Sequence, residues 1–141
     1  VALGMSDVES IKVRNGAFFV DTGSPHHVEV VEQHPDDFIK FARPIRFAYG
    51  EKGANINSLV PLTKGFSIRT YERGVEDETL SCGTGAVAAA MVAVGQGLTN
   101  SPVRISTLGG ELLVRFNGKG PFTEVILEGP ASRSFEGVWK V

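Results

Sequence analysis

Ser81-Cys82-Gly83-Thr84-Gly85-Ala86-Val87-Ala88-Ala89-Ala90-Met91-Val92-Ala93-Val94-Gly95 is the stretch that decides the fold. Ala and Met favour helix, and the apolar run from Ala86 to Val94 is long enough for one. Gly95 and Gly97 suit its end. It is too short to cross a bilayer, which takes about 18 to 20 apolar residues. A helix that is apolar on every face must be covered all round. The natural cover is a curved sheet, and the rest of the sequence reads as its strands.

Ser10 to Val13 and Ala17 to Asp21 flank Asn15-Gly16, a hairpin signal. Val28 to Val31 is a short β-branched run. Pro35-Asp36-Asp37 opens a helical stretch through Phe38, Ile39, Phe41 and Ala42, with Pro44 expected to end it. Periodicity leaves Ile45 to Tyr49 open between strand and helix. Asn55 to Val60 and Phe66 to Tyr71 read as strands. Val103 to Thr107 and Glu111 to Phe116 flank Gly109-Gly110, and Thr123 to Glu128 and Ser134 to Val141 complete the set. These elements predict an α+β domain, a curved, mostly antiparallel sheet wrapped around one central buried helix.

A chain of 141 residues suits a single domain with a real core. The net charge of −2 and the lack of a basic stripe argue against a nucleic-acid partner. One Cys allows no intrachain disulfide, which fits a reducing, cytoplasmic setting. No run of about 18 apolar residues predicts a membrane span. Val1 to Met5 carries no basic segment leading an apolar one, so no signal peptide is expected there. The chain does not begin with Met, which is compatible with a piece of a longer chain or a processed one.

Cys82-Gly83-Thr84-Gly85 falls where a loop becomes the central helix. The first N–H groups of a helix lack internal partners and carry partial positive charge. Small Gly residues let a ligand approach them, so an anion such as a carboxylate would sit well. The same field favours the thiolate form of a thiol placed there. Thr84 adds a hydroxyl that could bond an anion or cap the helix. The plain alternative is a small buried Cys.

A dinucleotide site is another alternative, since Gly83-Thr84-Gly85-Ala86-Val87-Ala88 matches Gly-x-Gly-x-x-Ala. However, no apolar parallel strand precedes it, and the next acidic residue is Glu111. In Tyr71-Glu72-Arg73-Gly74, Arg73 could clamp a carboxylate, and Glu72 could receive an ammonium group or a thiol proton. A solvated charge pair at a strand end explains them equally. Asp21-Thr22-Gly23-Ser24-Pro25-His26-His27 reads as a polar turn in which a His could act as acid or base. His26, His27 and His34 lack zinc-ligand spacing.

Taken together, Gly23-Ser24-Pro25-His26, Asn55, Tyr71-Glu72-Arg73-Gly74, Glu78-Thr79 and Cys82-Gly83-Thr84-Gly85-Ala86 resemble the second half of diaminopimelate epimerase. Phe135-Glu136-Gly137 resembles that family's ending. The likeness spans most of the chain and is most specific from Tyr71 to Ala90. It implies that residues 1–141 form the C-terminal lobe of a two-lobed enzyme. That enzyme interconverts LL- and meso-diaminopimelate without pyridoxal phosphate or metal, using two opposed thiols.

By position, Cys82 resembles one thiol, with Glu72 the carboxylate near it. Asn55, Glu72 and Arg73 resemble substrate ligands, and Gly83 and Thr84 resemble the cradle for a carboxylate. His26 resembles the histidine that assists the other thiol. The implied partners are diaminopimelate, the N-terminal lobe that this chain lacks and, as one assembly, a homodimer. Neither nucleic acid nor membrane is implied.

Three departures from the pattern stand out. Ser24 replaces the family's usual substrate-binding Asn, and the segment between Gly74 and Glu78 is one residue longer. The second thiol, in a Cys-Gly-Asn-Gly motif of the first half, has no counterpart here, so negligible epimerase activity is expected of the chain alone. Proline racemase and the phenazine-pathway isomerase share the implied architecture and are the nearest rivals within enzymes. A non-catalytic module binding an anionic amino acid, and a Cys hydrolase, are the others.

Overall fold

The computed structural model describes residues 1–141. Ten strands and two helices follow in order: β1 (Ala2–Gly4), β2 (Lys12–Arg14), β3 (Ala17–Asp21), β4 (Pro25–Val30), α1 (Phe38–Ala48), β5 (Asn55–Pro61), β6 (Phe66–Glu72), β7 (Asp77–Thr79), α2 (Gly83–Gly95), β8 (Val103–Thr107), β9 (Gly110–Asn117) and β10 (Thr123–Glu128). The strands form one sheet in the order β1-β10-β9-β8-β6-β5-β4-β3-β2, with β7 hydrogen-bonded to β6 off that path. Only β4–β5 and β6–β8 are parallel. A parallel pair needs a crossover, usually a helix. The segment between β4 and β5 contains α1, and that between β6 and β8 contains α2.

The two helices lie on opposite faces of the sheet. Ala86 to Ala93 are fully buried, and α2 touches β3, β4, β5, β6, β8 and β9. Val20, Val28, Leu59, Ile68, Ile105 and Val114 are among the strand residues that close around it. The small Ala side chains let those strands approach closely. Phe38 and Ala42 of α1 pack instead on Ala54, Ile56 and Tyr71. The two-residue period of β5 explains the division, because Ile56 faces α1 while Asn55, Asn57 and Leu59 face α2. No helix is long and apolar enough to cross a membrane.

The α+β fold, with its mostly antiparallel sheet around a buried helix, is as the sequence predicts. Three local expectations need correcting. The helix expected to stop at Pro44 continues to Ala48, so Ile45 to Ala48 are helical. Pro44 removes the bond to the Lys40 carbonyl, but both residues are exposed, where water can satisfy that oxygen. Asp37 caps the helix, its Oδ1 accepting the Lys40 N–H at 3.0 Å. The polar turn expected through His27 ends at Ser24, and β4 begins at Pro25 with Asp21 opposite it. Ser134 to Val141 form no strand.

Candidate active site

Cys82 is the N-cap residue of α2 and has extended backbone angles (φ −134°, ψ 111°). Ala86 N–H donates to the Cys82 carbonyl at 2.9 Å, the first bond of the helix. The amides of Gly83, Thr84 and Gly85 precede that bond and have no partner within the helix. Strands β4, β5 and β6 run beneath this end of α2. Their alternation turns His26, Asn55, Asn57, Thr70 and Glu72 towards it.

Cys82 Sγ lies 3.5 Å from Thr84 Oγ1, which lies 2.9 Å from His26 Nε2. On the other side of the ring, His26 Nδ1 is 3.0 Å from Asn57 Nδ2. Asn57 Nδ2 also donates to the His27 carbonyl at 3.0 Å, and Asn57 Oδ1 accepts the Thr70 hydroxyl at 2.8 Å. Thr22 Oγ1 donates to the Thr84 carbonyl at 2.9 Å, anchoring the first turn of the helix. A side chain at position 85 would crowd this arrangement. A Cβ there would stand 3.0 Å from Asn57 Oδ1 and 3.2 Å from His26 Cε1.

His26 is fully buried. Burial disfavours the imidazolium and outweighs every other influence on the ring, so the pKa falls from 6.5 to about 4. The ring is therefore neutral near pH 7.

The other residues singled out in the sequence divide between the two faces of the sheet. Asn55 is buried under the site. Its Nδ2 donates to Ser24 Oγ at 2.9 Å and to the Pro25 carbonyl at 3.1 Å, and its Oδ1 accepts the Arg73 N–H at 3.0 Å. Ser24, at the position of the family's Asn, is thus engaged with Asn55. Glu72 is half-buried at the end of β6, on the α2 side with Thr70.

Arg73 is next in sequence and turns away. Its guanidinium donates to the Lys52 carbonyl and lines a 680 Å³ cavity with Lys12, Arg14 and Lys52. In the segment after Gly74, Glu76 takes a positive φ of 58°. Its carboxylate accepts the Gly74 N–H at 2.8 Å and the Arg46 Nε–H at 2.9 Å. Glu78 is held in a two-pronged ion pair with Arg69, both contacts at 2.6 Å.

His27 and His34 lie away from Cys82. His27 is bridged between Tyr49 and Glu29, and His34 between Ser58 and Ser67. Asn57, Thr70 and Thr22 are site residues that the motifs did not flag. A signal existed in the sequence, because Asn57 sits two residues from Asn55 on a face that otherwise carries apolar side chains. Buried polar residues are the informative ones.

Solved structures with this architecture define the class first. A phenazine biosynthesis protein of the PhzF family from Enterococcus faecalis superposes with a TM-score of 0.55 at 16% identity, over 83% of this chain and 41% of that one. A probable proline racemase from Agrobacterium radiobacter K84 superposes with 0.54 at 13% identity, over 83% and 38%. The chain thus has the fold of the part of these proteins that it covers.

Sequence then gives the family. A family model for diaminopimelate epimerase matches residues 18–134. The chain is 44% identical to the diaminopimelate epimerase of Flavobacterium psychrophilum over 142 residues, 96% of this chain and 56% of that protein. It is 43% identical to that of Aquifex aeolicus over 124 residues, 84% and 44%. The chain belongs to the diaminopimelate epimerase family. It spans about half the length of the curated relatives it matches.

Proposed function

We propose that the chain is the C-terminal lobe of a two-lobed diaminopimelate epimerase acting in lysine and peptidoglycan-precursor synthesis in the cytoplasm. Cys82 is then one of two thiols that invert the α-carbon of LL- or meso-diaminopimelate, with no pyridoxal phosphate. The observation that carries this reading is the half-buried Cys82 thiol at the amide end of α2, next to Thr84, within the region matched to the family.

An amino-acid α-proton is a weak acid, so its removal needs a site that stabilises the developing carbanion. The amides of Gly83 and Thr84 would hold the α-carboxylate, where negative charge grows as the proton leaves. Cys82 thiolate would take the proton from one face of the α-carbon and become a thiol. A thiol of the other lobe would give a proton to the opposite face and become a thiolate. The reverse reaction exchanges the two roles. Glu72 and Asn55 remain the proposed ligands for the rest of the substrate, Arg73 would join them on swinging its guanidinium from the Lys52 carbonyl, and His26 is the imidazole assisting the other thiol.

The test is solvent-deuterium exchange at the α-carbon of LL-diaminopimelate, followed by proton NMR with the two-lobed protein. Exchange with inversion is expected. Cys82→Ser should lower its rate by about 10²- to 10⁴-fold, the usual worth of a positioned acid–base group. The 141-residue chain alone should give negligible turnover. An unaffected Cys82→Ser variant, or robust turnover by the lone chain, would overturn the two-thiol reading. Binding without exchange would mark a module rather than an enzyme.

A further inference from the structure

We propose that Asn57 is a positioning residue that locks His26 as the neutral Nε2–H tautomer. His26 and Thr84 then form a one-way chain of hydrogen-bond donors ending on the Cys82 sulfur. The inference rests on the thiol role of Cys82 proposed above and adds what the histidine can and cannot do there.

The His27 main-chain carbonyl can only accept, and it lies 3.0 Å from Asn57 Nδ2. That edge of the amide is therefore the NH₂. The opposite edge, Oδ1, accepts the Thr70 hydroxyl at 2.8 Å, which agrees. Two further acceptors lie within reach of that NH₂, His26 Nδ1 at 3.0 Å and the Asn55 carbonyl at 3.4 Å; the second hydrogen takes the nearer, so Nδ1 is the unprotonated, accepting nitrogen. A bond from Asn57 to a charged His26 would need the amide oxygen at Nδ1, and that oxygen is engaged with Thr70.

The proton of the neutral ring therefore resides on Nε2, which faces Thr84 Oγ1 at 2.9 Å. Asn55 Nδ2 stands 3.4 Å from Nε2, but its two hydrogens are directed to Ser24 Oγ and the Pro25 carbonyl. Thr84 Oγ1 thus accepts from His26, and its own hydrogen is free to point at Cys82 Sγ, 3.5 Å away. Every link donates towards the sulfur. The chain stabilises a thiolate, and it cannot receive the Cys82 proton through Nε2.

The experiment uses the two-lobed protein with ¹⁵N-labelled histidine. Long-range proton–nitrogen correlation spectra identify His26 by the signals lost in His26→Gln. Near pH 7 the wild-type ring should show an unprotonated Nδ1 and a protonated Nε2. Asn57→Asp keeps the shape but replaces the NH₂ with an acceptor, so it should place a proton on Nδ1. It should also lower kcat for α-proton exchange on the order of 10- to 100-fold, the usual cost of losing a partner that orients a working imidazole, with little change in KM.

A wild-type ring protonated on Nδ1 would overturn the proposal. So would an Asn57→Asp ring that still carries its proton on Nε2 alone. Should Asn57→Asp fail to fold, the wild-type tautomer decides by itself. Absence of α-proton exchange in the wild type would instead defeat the proposed function, and the spectrum would still report the ring.

Discussion

Acidification should weaken the fold through His26 by about 3 kcal/mol between pH 7 and pH 4. In the unfolded chain this histidine takes up a proton near its ordinary value of 6.5, while in the folded chain it stays neutral down to about 4. Each unit of separation corresponds to about 1.4 kcal/mol. The folded value is depressed, so the contribution is fully present above 6.5. It declines as the pH falls below 6.5 and is gone below about 4.

His34 shifts in the same direction, chiefly by burial and then by the Arg69 cation, so the total acid sensitivity exceeds the share of His26. The substitution that isolates that share is His26→Gln, which removes the titrating ring. Urea unfolding of both proteins, followed by far-ultraviolet circular dichroism across this range, gives two lines of stability against pH. Carboxylates and His34 contribute to both lines and cancel in the difference. The wild-type line should fall more steeply, the two diverging by about 3 kcal/mol. Parallel lines would refute the claim that His26 is buried in the neutral form.

Gly85→Ala gives a test of packing beneath the thiol. Helix propensity alone would favour Ala by about 0.8–1.0 kcal/mol. The new Cβ would meet Asn57 Oδ1 at 3.0 Å, and overpacking costs about 1–3 kcal/mol. A net loss is expected in urea unfolding, with slowed α-proton exchange in the two-lobed protein, and a stabilised variant would contradict the geometry. Met91→Ala, at a fully buried position of α2, should cost about 2–5 kcal/mol by the same measurement. Trp139 is the only tryptophan and is 89% exposed, so its emission should hardly change across the unfolding transition seen by circular dichroism.

Most of the fold was legible because the decisive element was extreme. A nine-residue apolar run with no polar face has few solutions in water, and a surrounding sheet is one of them. Strand positions followed from β-branched runs and turn residues. The errors arose where tertiary context overrules local signals. Pro44 is tolerated inside α1 because the carbonyl it orphans is at the surface. The tail from Ser134 to Val141 has strand-like composition, but strand formation depends on burying a face, and Phe135, Val138 and Trp139 are all exposed. Local sequence does not reveal whether a segment will find a surface to pack against.

The site was legible in a different measure. The motifs located Cys82, Thr84 and His26, and the structure brings these three together. Motif reading assigns His26 a chemical possibility only, since an imidazole can accept or donate. The hydrogen-bond partner decides between the two, and that partner, Asn57, is contributed by the neighbouring parallel strand 31 residues away. The parallel register of β4 and β5 exists only because α1 crosses between them on the far side of the sheet. The helix that lies outside the site thus brings to His26 the partner that sets which of its nitrogens carries the proton. A change that shifted β5 by one residue would turn Asn57 to the α1 face and leave Nδ1 without its donor.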